Sequence, residues 1–224
     1  MKREIVIDTE TTGLDPRAGH RLIEIACIEL ANHMPTGRRW QTWLNPERMV
    51  DPEAFAVHGL ADEFLVDKPR FAEKAVEFID FIADSPLVIH NADFDLGFLN
   101  AELERAGQQP LARSRAVCTV TLARRKFPGQ RASLDALCQF LGIDNSRRTL
   151  HGALLDAELL ADVYLELVGG RQASIDLVVG PAIATTGVPL TVRPPRPHAP
   201  SPEELAAHAA LLGRLRSPLW NEPA

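Results

Sequence analysis

The chain has 224 residues, of which 46% are hydrophobic, and a formal net charge of −6 at neutral pH. This length is enough for one sizeable hydrophobic core with an appendage. No apolar run approaches the roughly 20 residues that span a bilayer, and the N-terminal stretch MKREIVIDTETTG turns acidic too early for a signal peptide. The three cysteines are scattered without metal-ligand spacing. They indicate reduced thiols in a cytoplasmic protein.

The distribution of charge weakens the argument that an acidic chain avoids nucleic acid. Residues 105–148 carry nine Lys or Arg side chains and two acidic ones, Asp135 and Asp144, which makes a local charge of +7. A surface of that sign could bind phosphates. A solvated basic face without a partner explains the same charges equally well.

The composition of the chain changes near Gly169 and Gly170. Nine of the 17 prolines lie in the 54 residues that follow. Such a proline-rich stretch is typical of an extended linker. We therefore expect a folded domain in residues 1–170, a flexible linker in residues 171–200 and a short terminal segment in residues 201–224.

The first part of the domain predicts three consecutive strands. EIVID is a short apolar strand, and RLIEIACIEL and RRWQTWLN follow it at hairpin-like spacing. Later, PLVIH has the continuous apolar character of a buried strand.

One predicted helix precedes the strand PLVIH, and three predicted helices follow it. In FAEKAVEFIDFIA the apolar residues recur with the period of an α-helix. DFDLGFLNAELERAG is predicted to be a helix that ends at Gly107. SLDALCQFLG and HGALLDAELLADVYLELVGG are two further helices that end in glycine. Strands followed by alternating strands and helices predict an α/β fold, with a mixed sheet flanked by helices.

Two acids lie at the end of the first predicted strand. Because side chains alternate along a strand, Asp8 and Glu10 of VIDTETTG point to the same side. Adjacent carboxylates repel one another unless a cation lies between them. The pair is therefore either part of a cation site or two incidental acids at a solvated strand end.

A second pair of acids, Asp93 and Asp95, lies in HNADFDLGFL. If residues 93–106 are helical, the apolar side chains point close to the direction of Asp95, and Asp93 lies on the opposite side. Asp93 also precedes the periodic run, where a helix cap belongs. We expect Asp93 to cap the helix and Asp95 to face the interior, where a carboxylate needs a partner or a metal.

The last predicted helix also carries an inward-facing acid. Asp156 shares a helical face with Leu160 and Val163, whereas Glu158 lies on the opposite face. His151 precedes Asp156 by five residues, near the start of the helix. A lone histidine is more often a packing or surface residue, but one beside a buried acid is a better functional candidate.

Four acids from three segments thus favour a common metal site. Oxygen ligands suit Mg²⁺ or Mn²⁺ better than zinc. Two such ions can stabilise the attacking and leaving oxygens of a phosphodiester during its displacement.

The motifs VIDTETTG, HNADFD and HGALLDA, in this order, resemble the three motifs of the DEDDh exonucleases. Over residues 3–170 the likeness is to the branch of that family that proofreads for bacterial replicative polymerases. The resemblance implies a ribonuclease-H-like fold and a 3′–5′ DNA exonuclease that releases deoxynucleoside 5′-monophosphates. An enzyme that trims RNA or oligonucleotides, resembling ribonuclease T or oligoribonuclease, is the alternative within this fold.

The resemblance also assigns roles to individual residues. It implies that two divalent cations, Mg²⁺ or Mn²⁺, are bound by four acids, Asp8, Glu10, Asp95 and Asp156. It implies that His151 is the general base, a role that suits an imidazole near neutral pH. Five further positions are implied to contact a single-stranded or frayed DNA 3′ end: Thr11, Thr12, Leu14, His58 and Phe94.

Two segments after the domain suggest partners. QASIDL resembles the clamp-binding motif of bacterial replication proteins, with Gln172, Ile175 and Leu177 as anchors, although a terminal strand or chance accounts for so short a motif too. Residues 201–204 form a capping box before an apolar helical stripe. The resemblance implies that this segment binds the catalytic alpha subunit of the polymerase. A small accessory subunit is a further candidate partner.

Overall fold

The computed structural model describes residues 2–148, 150–169 and 199–215. Contacts between residues divide the chain into two units, residues 1–175 and residues 176–224. The predicted clamp-binding anchors, Gln172, Ile175 and Leu177, lie outside the described residues.

The first unit contains a mixed five-stranded sheet. The strands in chain order are β1 (Arg3–Thr11), β2 (Leu22–Ala31), β3 (Met34–Trp43), β4 (Leu87–Ile89) and β5 (Ala116–Cys118). Their order across the sheet is β3-β2-β1-β4-β5. β1 pairs antiparallel with β2 and parallel with β4, while β2–β3 is antiparallel and β4–β5 is parallel. The predicted mixed sheet is therefore confirmed.

Seven α-helices accompany the sheet in the described part of the first unit. They are α1 (Pro52–His58), α2 (Asp62–Leu65), α3 (Phe71–Ile82), α4 (Ala92–Arg105), α5 (Thr119–Lys126), α6 (Leu134–Leu141) and α7 (Ala153–Val168). The sequence did not predict α1, α2, α5 or β5, which are short and carry little apolar periodicity. In the described ranges, no helix combines the length and the apolar character needed to cross a membrane.

The two faces of β1 are covered by different helices. Ile5 and Ile7 point into a cluster formed with α3 and α4, which includes Phe78. Val6 points into a second cluster formed with α6 and α7, which includes Leu160. β1 is therefore buried on both faces. Its side chains point alternately toward α4 and toward α7.

The start of α4 differs from the prediction. The helix begins at Ala92, and its N-cap is Asn91, in a left-handed conformation with φ of 62°. The expectation that Asp93 caps the helix is therefore wrong. The chain turns immediately after β4, so the helix starts before its apolar pattern does. Asp93 is an exposed residue in the first turn and forms an ion pair with Arg113.

The second unit is represented by one helix, α8 (Pro202–Leu212). The predicted capping box is present, because the Ser201 hydroxyl accepts from Glu204 N and the Glu204 side chain accepts from Ser201 N. None of the residues of α8 is buried, and Leu205 and Leu211 are each more than half exposed.

The packing of α7 on the sheet predicts a large cost for truncating Leu160, which is fully buried. Leu160→Ala should lower the free energy of unfolding by about 2–5 kcal/mol, because apolar contacts are lost and a cavity remains. Urea denaturation followed by circular dichroism measures this change. Val76→Ala, at an exposed position of α3, is the matched control and should change stability by no more than about 0.5 kcal/mol. Equal effects of the two substitutions would contradict the assigned core.

Candidate active site

A cavity of about 770 Å³ lies where β1 ends. Its walls come from β1 and the loop that follows, from α1, from the start of α4 and from the segment that leads into α7. The cavity wall includes all five residues predicted to act in chemistry: Asp8, Glu10, Asp95, Asp156 and His151.

The alternation of side chains along β1 explains how acids from two helices meet its end. Thr9 shares the face of Ile5 and Ile7, and its hydroxyl donates to Asp95 Oδ1 of α4 at 2.8 Å. Asp8 and Glu10 lie on the opposite face, toward α7. Asp95 is 4% exposed, so the prediction that it faces inward is confirmed.

The carboxylates shift one another's proton affinity. Burial, followed by the charges of Asp95 and Glu10, raises the pKa of Asp8 well above its usual value. Burial and the nearby Asp156 raise the pKa of Glu10 to about 8. Burial also raises the pKa of Asp95 to about 7, against the lowering effect of the Thr9 hydrogen bond. The shifts of Asp8 and Glu10 express the cost of placing like charges together away from water, whereas that of Asp95 expresses burial.

Asp156 differs from the other three acids because an arginine accompanies it. Arg148 Nε and Nη2 donate to the two oxygens of Asp156 at 2.5 and 2.7 Å. Burial acts to raise the pKa of Asp156, but the hydrogen bonds from Arg148 and His151 outweigh it, and the net pKa is lowered. The sequence did not single out Arg148, since no periodicity marks a residue in the loop before α7.

His151 is placed beside Asp156 at the mouth of the cavity. Its Nδ1 lies 3.3 Å from Asp156 Oδ2, and its side chain is 45% exposed. Its backbone N–H donates to Val57 O of α1 at 3.1 Å, which fixes the start of α7 against α1. The nearest ligand atoms of Glu10, His151 and Asp156 all lie within 4.8 Å of one another.

Glu24 is a second residue that sequence reasoning missed. It stands opposite Glu10 in the β1–β2 pair and is 3% exposed. Its carboxylate accepts from Ala153 N, the first residue of α7, at 3.2 Å and from Gln41 Nε2 at 2.6 Å. Glu24 thereby sets the position of α7 and so of Asp156. An acid between apolar neighbours in the stretch RLIEIACIEL was the available signal, although Glu29 of the same stretch has similar surroundings.

Four of the five predicted DNA contacts lie on the cavity wall: Thr11, Leu14, His58 and Phe94. Leu14 is 78% exposed, which is unusual for a leucine and leaves its side chain open to a ligand. Thr12 is not part of the wall. It is fully buried, and its hydroxyl accepts from Arg21 N at 3.0 Å. This bond ties the loop after β1 to the start of β2, on the side away from the cavity.

His58 is part of the cavity wall, and its ring is held by neighbouring backbone groups. Its Nδ1 accepts from Leu60 N at 3.0 Å, which places the proton of the neutral ring on Nε2. Nε2 is buried, and a hydrogen bond with the Thr11 backbone acts to raise the pKa of the ring. Burial lowers the pKa of His58, so the ring is neutral at neutral pH.

The donor set fits a divalent cation. It consists of carboxylate oxygens with one imidazole at the rim, and the raised pKa values of Asp8 and Glu10 show that the cluster favours added positive charge. The residues present therefore suit the metal site that the sequence predicted.

Comparison with known proteins agrees with this geometry. A sequence profile of the exonuclease family matches residues 5–164, which include all the acids of the cavity. The chain belongs to the exonuclease family. Nucleases of this type use divalent metal ions, as the donor set suggests.

Relatives of this exonuclease share most of its length. The epsilon subunit of DNA polymerase III from Rickettsia felis is 53% identical over 179 residues, which are 79% of this chain and 78% of that protein. The epsilon subunit from Escherichia coli K12 is 46% identical over 226 residues, 95% of this chain and 93% of that protein. These relatives favour the polymerase-associated interpretation over an RNA-trimming enzyme.

Solved structures confirm the ribonuclease-H-like exonuclease fold. Exonuclease X in complex with 5′ overhanging duplex DNA aligns with a TM-score of 0.58 and 28% identity, over 75% of this exonuclease and 91% of that chain. The zinc-bound complex of E. coli ExoI with single-stranded DNA aligns with a TM-score of 0.66 and 18% identity, over 77% and 41% of the two chains. The second likeness shows the fold alone.

The raised pKa of Glu10 predicts a pH-dependent stability in a metal chelator. Between the ordinary value of 4.5 and about 8, the folded protein keeps a proton that the unfolded chain releases. Stability should therefore fall as pH rises through this window. Urea denaturation in EDTA at several pH values measures the slope, and Glu10→Gln should make it shallower. A stability that rises over this window would contradict the assigned burial of the acids.

Proposed function

We propose that this protein is the proofreading 3′–5′ exonuclease of bacterial DNA polymerase III. It would hydrolyse the terminal phosphodiester of a single-stranded or frayed DNA 3′ end and release a deoxynucleoside 5′-monophosphate. The observation that carries the proposal is the meeting of acids from β1, α4 and α7 with His151 in one cavity. The relatedness to epsilon subunits over most of the chain supports DNA as the substrate.

Four residues are proposed to hold the divalent cations, Mg²⁺ or Mn²⁺: Asp8, Glu10, Asp95 and Asp156. When bound, these ions would activate the attacking water and stabilise the charge that develops on the phosphate. The contribution of the protein is a fixed arrangement of oxygen donors, since β1 is buried on both faces and each helix is bound to it.

His151 is proposed to be the general base. Its imidazole is exposed to the cavity and lies next to Asp156 Oδ2, which orients the ring. An imidazole in this position can accept the proton of the attacking water near neutral pH. The backbone hydrogen bond to Val57 holds the residue at the cavity mouth.

The other side chains of the wall are proposed to position the DNA 3′ end. Leu14 and Phe94 offer apolar surface to the terminal bases, and such contacts tolerate any base. Thr11 and His58 are polar residues of the same wall and are proposed to lie against the sugar and phosphate. This combination suits an enzyme that removes a nucleotide regardless of its identity.

The residues after the domain are proposed to bind the replication machinery in the cytoplasm. Residues 172–177 would bind the sliding clamp through Gln172, Ile175 and Leu177, and residues 201–224 would bind the alpha subunit. The exposed leucines of α8 support the second assignment, because a short helix that leaves its apolar residues exposed gains stability by binding a partner. A small accessory subunit is a further proposed partner.

The two acids of the first turn of α4 provide a matched test of the active site. Asp95→Asn should abolish Mg²⁺-dependent digestion of 3′-labelled single-stranded DNA, because it removes the negative charge of a buried ligand and replaces one of its two oxygens by an amide nitrogen. Asp93→Asn should retain most of the activity, since Asp93 is exposed and pairs with Arg113. Thermal unfolding of both variants serves as the folding control. Normal digestion by the Asp95→Asn protein would place the metal site elsewhere.

The role of α8 can be tested in the full-length chain. Leu205→Glu combined with Leu212→Glu should abolish binding to the purified alpha subunit by placing charges on the apolar stripe that Leu205, Ala209 and Leu212 form along α8. Nuclease activity on single-stranded DNA should remain unchanged. Ala207→Glu, on the opposite side of α8, is the control and should bind normally. Undiminished binding of the doubly substituted protein in surface plasmon resonance would contradict this assignment.

A further inference from the structure

The strongest unexplained feature of the molecule is the buried guanidinium of Arg148 inside the acidic cavity. Its side chain is only 7% exposed. It donates to both oxygens of Asp156, and its Nη1 donates to Asp135 Oδ2 of α6 at 2.8 Å. Its Nη2 also lies 2.8 Å from His151 Nδ1. One side chain thus contacts a proposed metal ligand and the proposed general base.

Arg148 also balances the charge of the wider cluster. Its positive charge acts to lower the pKa of Asp8 and of Glu10, against the repulsion from the other acids. An arginine is charged at neutral pH, and the hydrogen bonds to Asp156 raise the pKa of the guanidinium further. The acids at the end of β1 therefore have a cation supplied by the protein itself.

A guanidinium and a divalent cation cannot use Asp156 in the same way at the same time. The bidentate pair engages both carboxylate oxygens, and a dication at those oxygens would face the positive charge of Arg148 at short range. The two cations therefore weaken each other's binding to Asp156.

Besides the bonds of the guanidinium itself, the described residues around Arg148 are held by Asn145 Nδ2, which donates to Asp135 Oδ1 of α6 at 3.1 Å, and by a backbone bond within the segment. Arg148 N donates to Asn145 O at 3.0 Å, and the segment is next fixed at His151 by its bond to Val57. Its neighbour Arg147 is exposed. Asp135, in the exposed first turn of α6, offers the guanidinium a partner that does not involve the proposed metal ligands.

We propose that Arg148 is an internal cation that holds Asp156 and His151 in place and competes with the divalent ion for Asp156. Arg148 is a positioning residue: it preserves the arrangement of the acids until the ion replaces it. This inference rests on the proposed metal site at Asp156 and adds a residue that controls how tightly the site binds its ion.

Metal binding without DNA tests the proposal directly. Arg148→Met removes the charge and the donors but keeps a long side chain. Its affinity for Mn²⁺, measured by titration followed by electron paramagnetic resonance, should rise by roughly 5- to 150-fold over the unsubstituted protein, the range expected for coupled sites. Arg147→Met, which removes an adjacent exposed charge, should leave the affinity within about twofold.

Thermal unfolding separates this role from a purely structural one. In EDTA, Arg148→Met should melt at a lower temperature than the unsubstituted protein, because the acids lose their compensating charge. Saturating Mn²⁺ should remove most of that difference, whereas a structural arginine would cause the same loss with or without the ion. Arg148→Lys keeps the charge with a single donor group. Its Mn²⁺ affinity and its melting temperature in EDTA should both lie between those of Arg148→Met and those of the unsubstituted protein.

The outcomes distinguish this inference from the proposed function. Unchanged or weaker Mn²⁺ binding by Arg148→Met, with Mn²⁺ binding intact in the unsubstituted protein, overturns the role of Arg148 and leaves the metal site standing. Failure of the unsubstituted protein to bind Mn²⁺ overturns the metal assignment and this inference with it. If Arg148→Met does not fold in EDTA, the affinity of Arg148→Lys decides, since competition predicts that it binds Mn²⁺ more tightly than the unsubstituted protein.

Discussion

The repulsion between carboxylates at the end of β1 is the constraint on which the site depends. Asp8, Glu10, Asp95 and Asp156 come from three segments and lie in one cavity. Burial and mutual repulsion raise the pKa of Asp8 and Glu10. Such an arrangement persists only when the surrounding structure holds it and positive charge balances it. The same electrostatic attraction for cations serves a nuclease, because it brings divalent ions to the place where the phosphate reacts.

The fold supplies the rigidity that this arrangement requires. β1 is covered by helices on both faces. On one face Thr9 donates a hydrogen bond to Asp95 of α4, and on the other face Glu10 lies toward α7. Glu24 of the neighbouring strand then fixes the first turn of α7. Because Asp8, Asp95 and Asp156 each adjoin a buried apolar residue, namely Ile7, Leu96 and Ala157, the core that stabilises the protein also sets the distances in the site. Stability and catalysis thus depend on the same packing.

Sequence reasoning succeeded where a residue's surroundings follow from its own element. The period of α4 placed Asp95 inward and Asp93 outward, and both orientations agree with the structure. The same reasoning misplaced the helix cap, because the turn at Asn91 depends on how β4 meets α4. The short elements β5 and α5 were missed, since three to eight residues carry too little periodicity to be distinguished from a loop.

The sequence by itself determined the order of the motifs and the inward faces of the main helices, and hence which acids were candidates for a common site. Only the tertiary structure decided that Arg148 pairs with Asp156, that Glu24 holds the start of α7, and that Thr12 supports the loop from behind the cavity wall. The physical reason is that periodicity reports the direction of a side chain relative to its own helix or strand. Which partner a polar group meets depends on the register and packing of separate elements, and a loop arginine has no period that could reveal it.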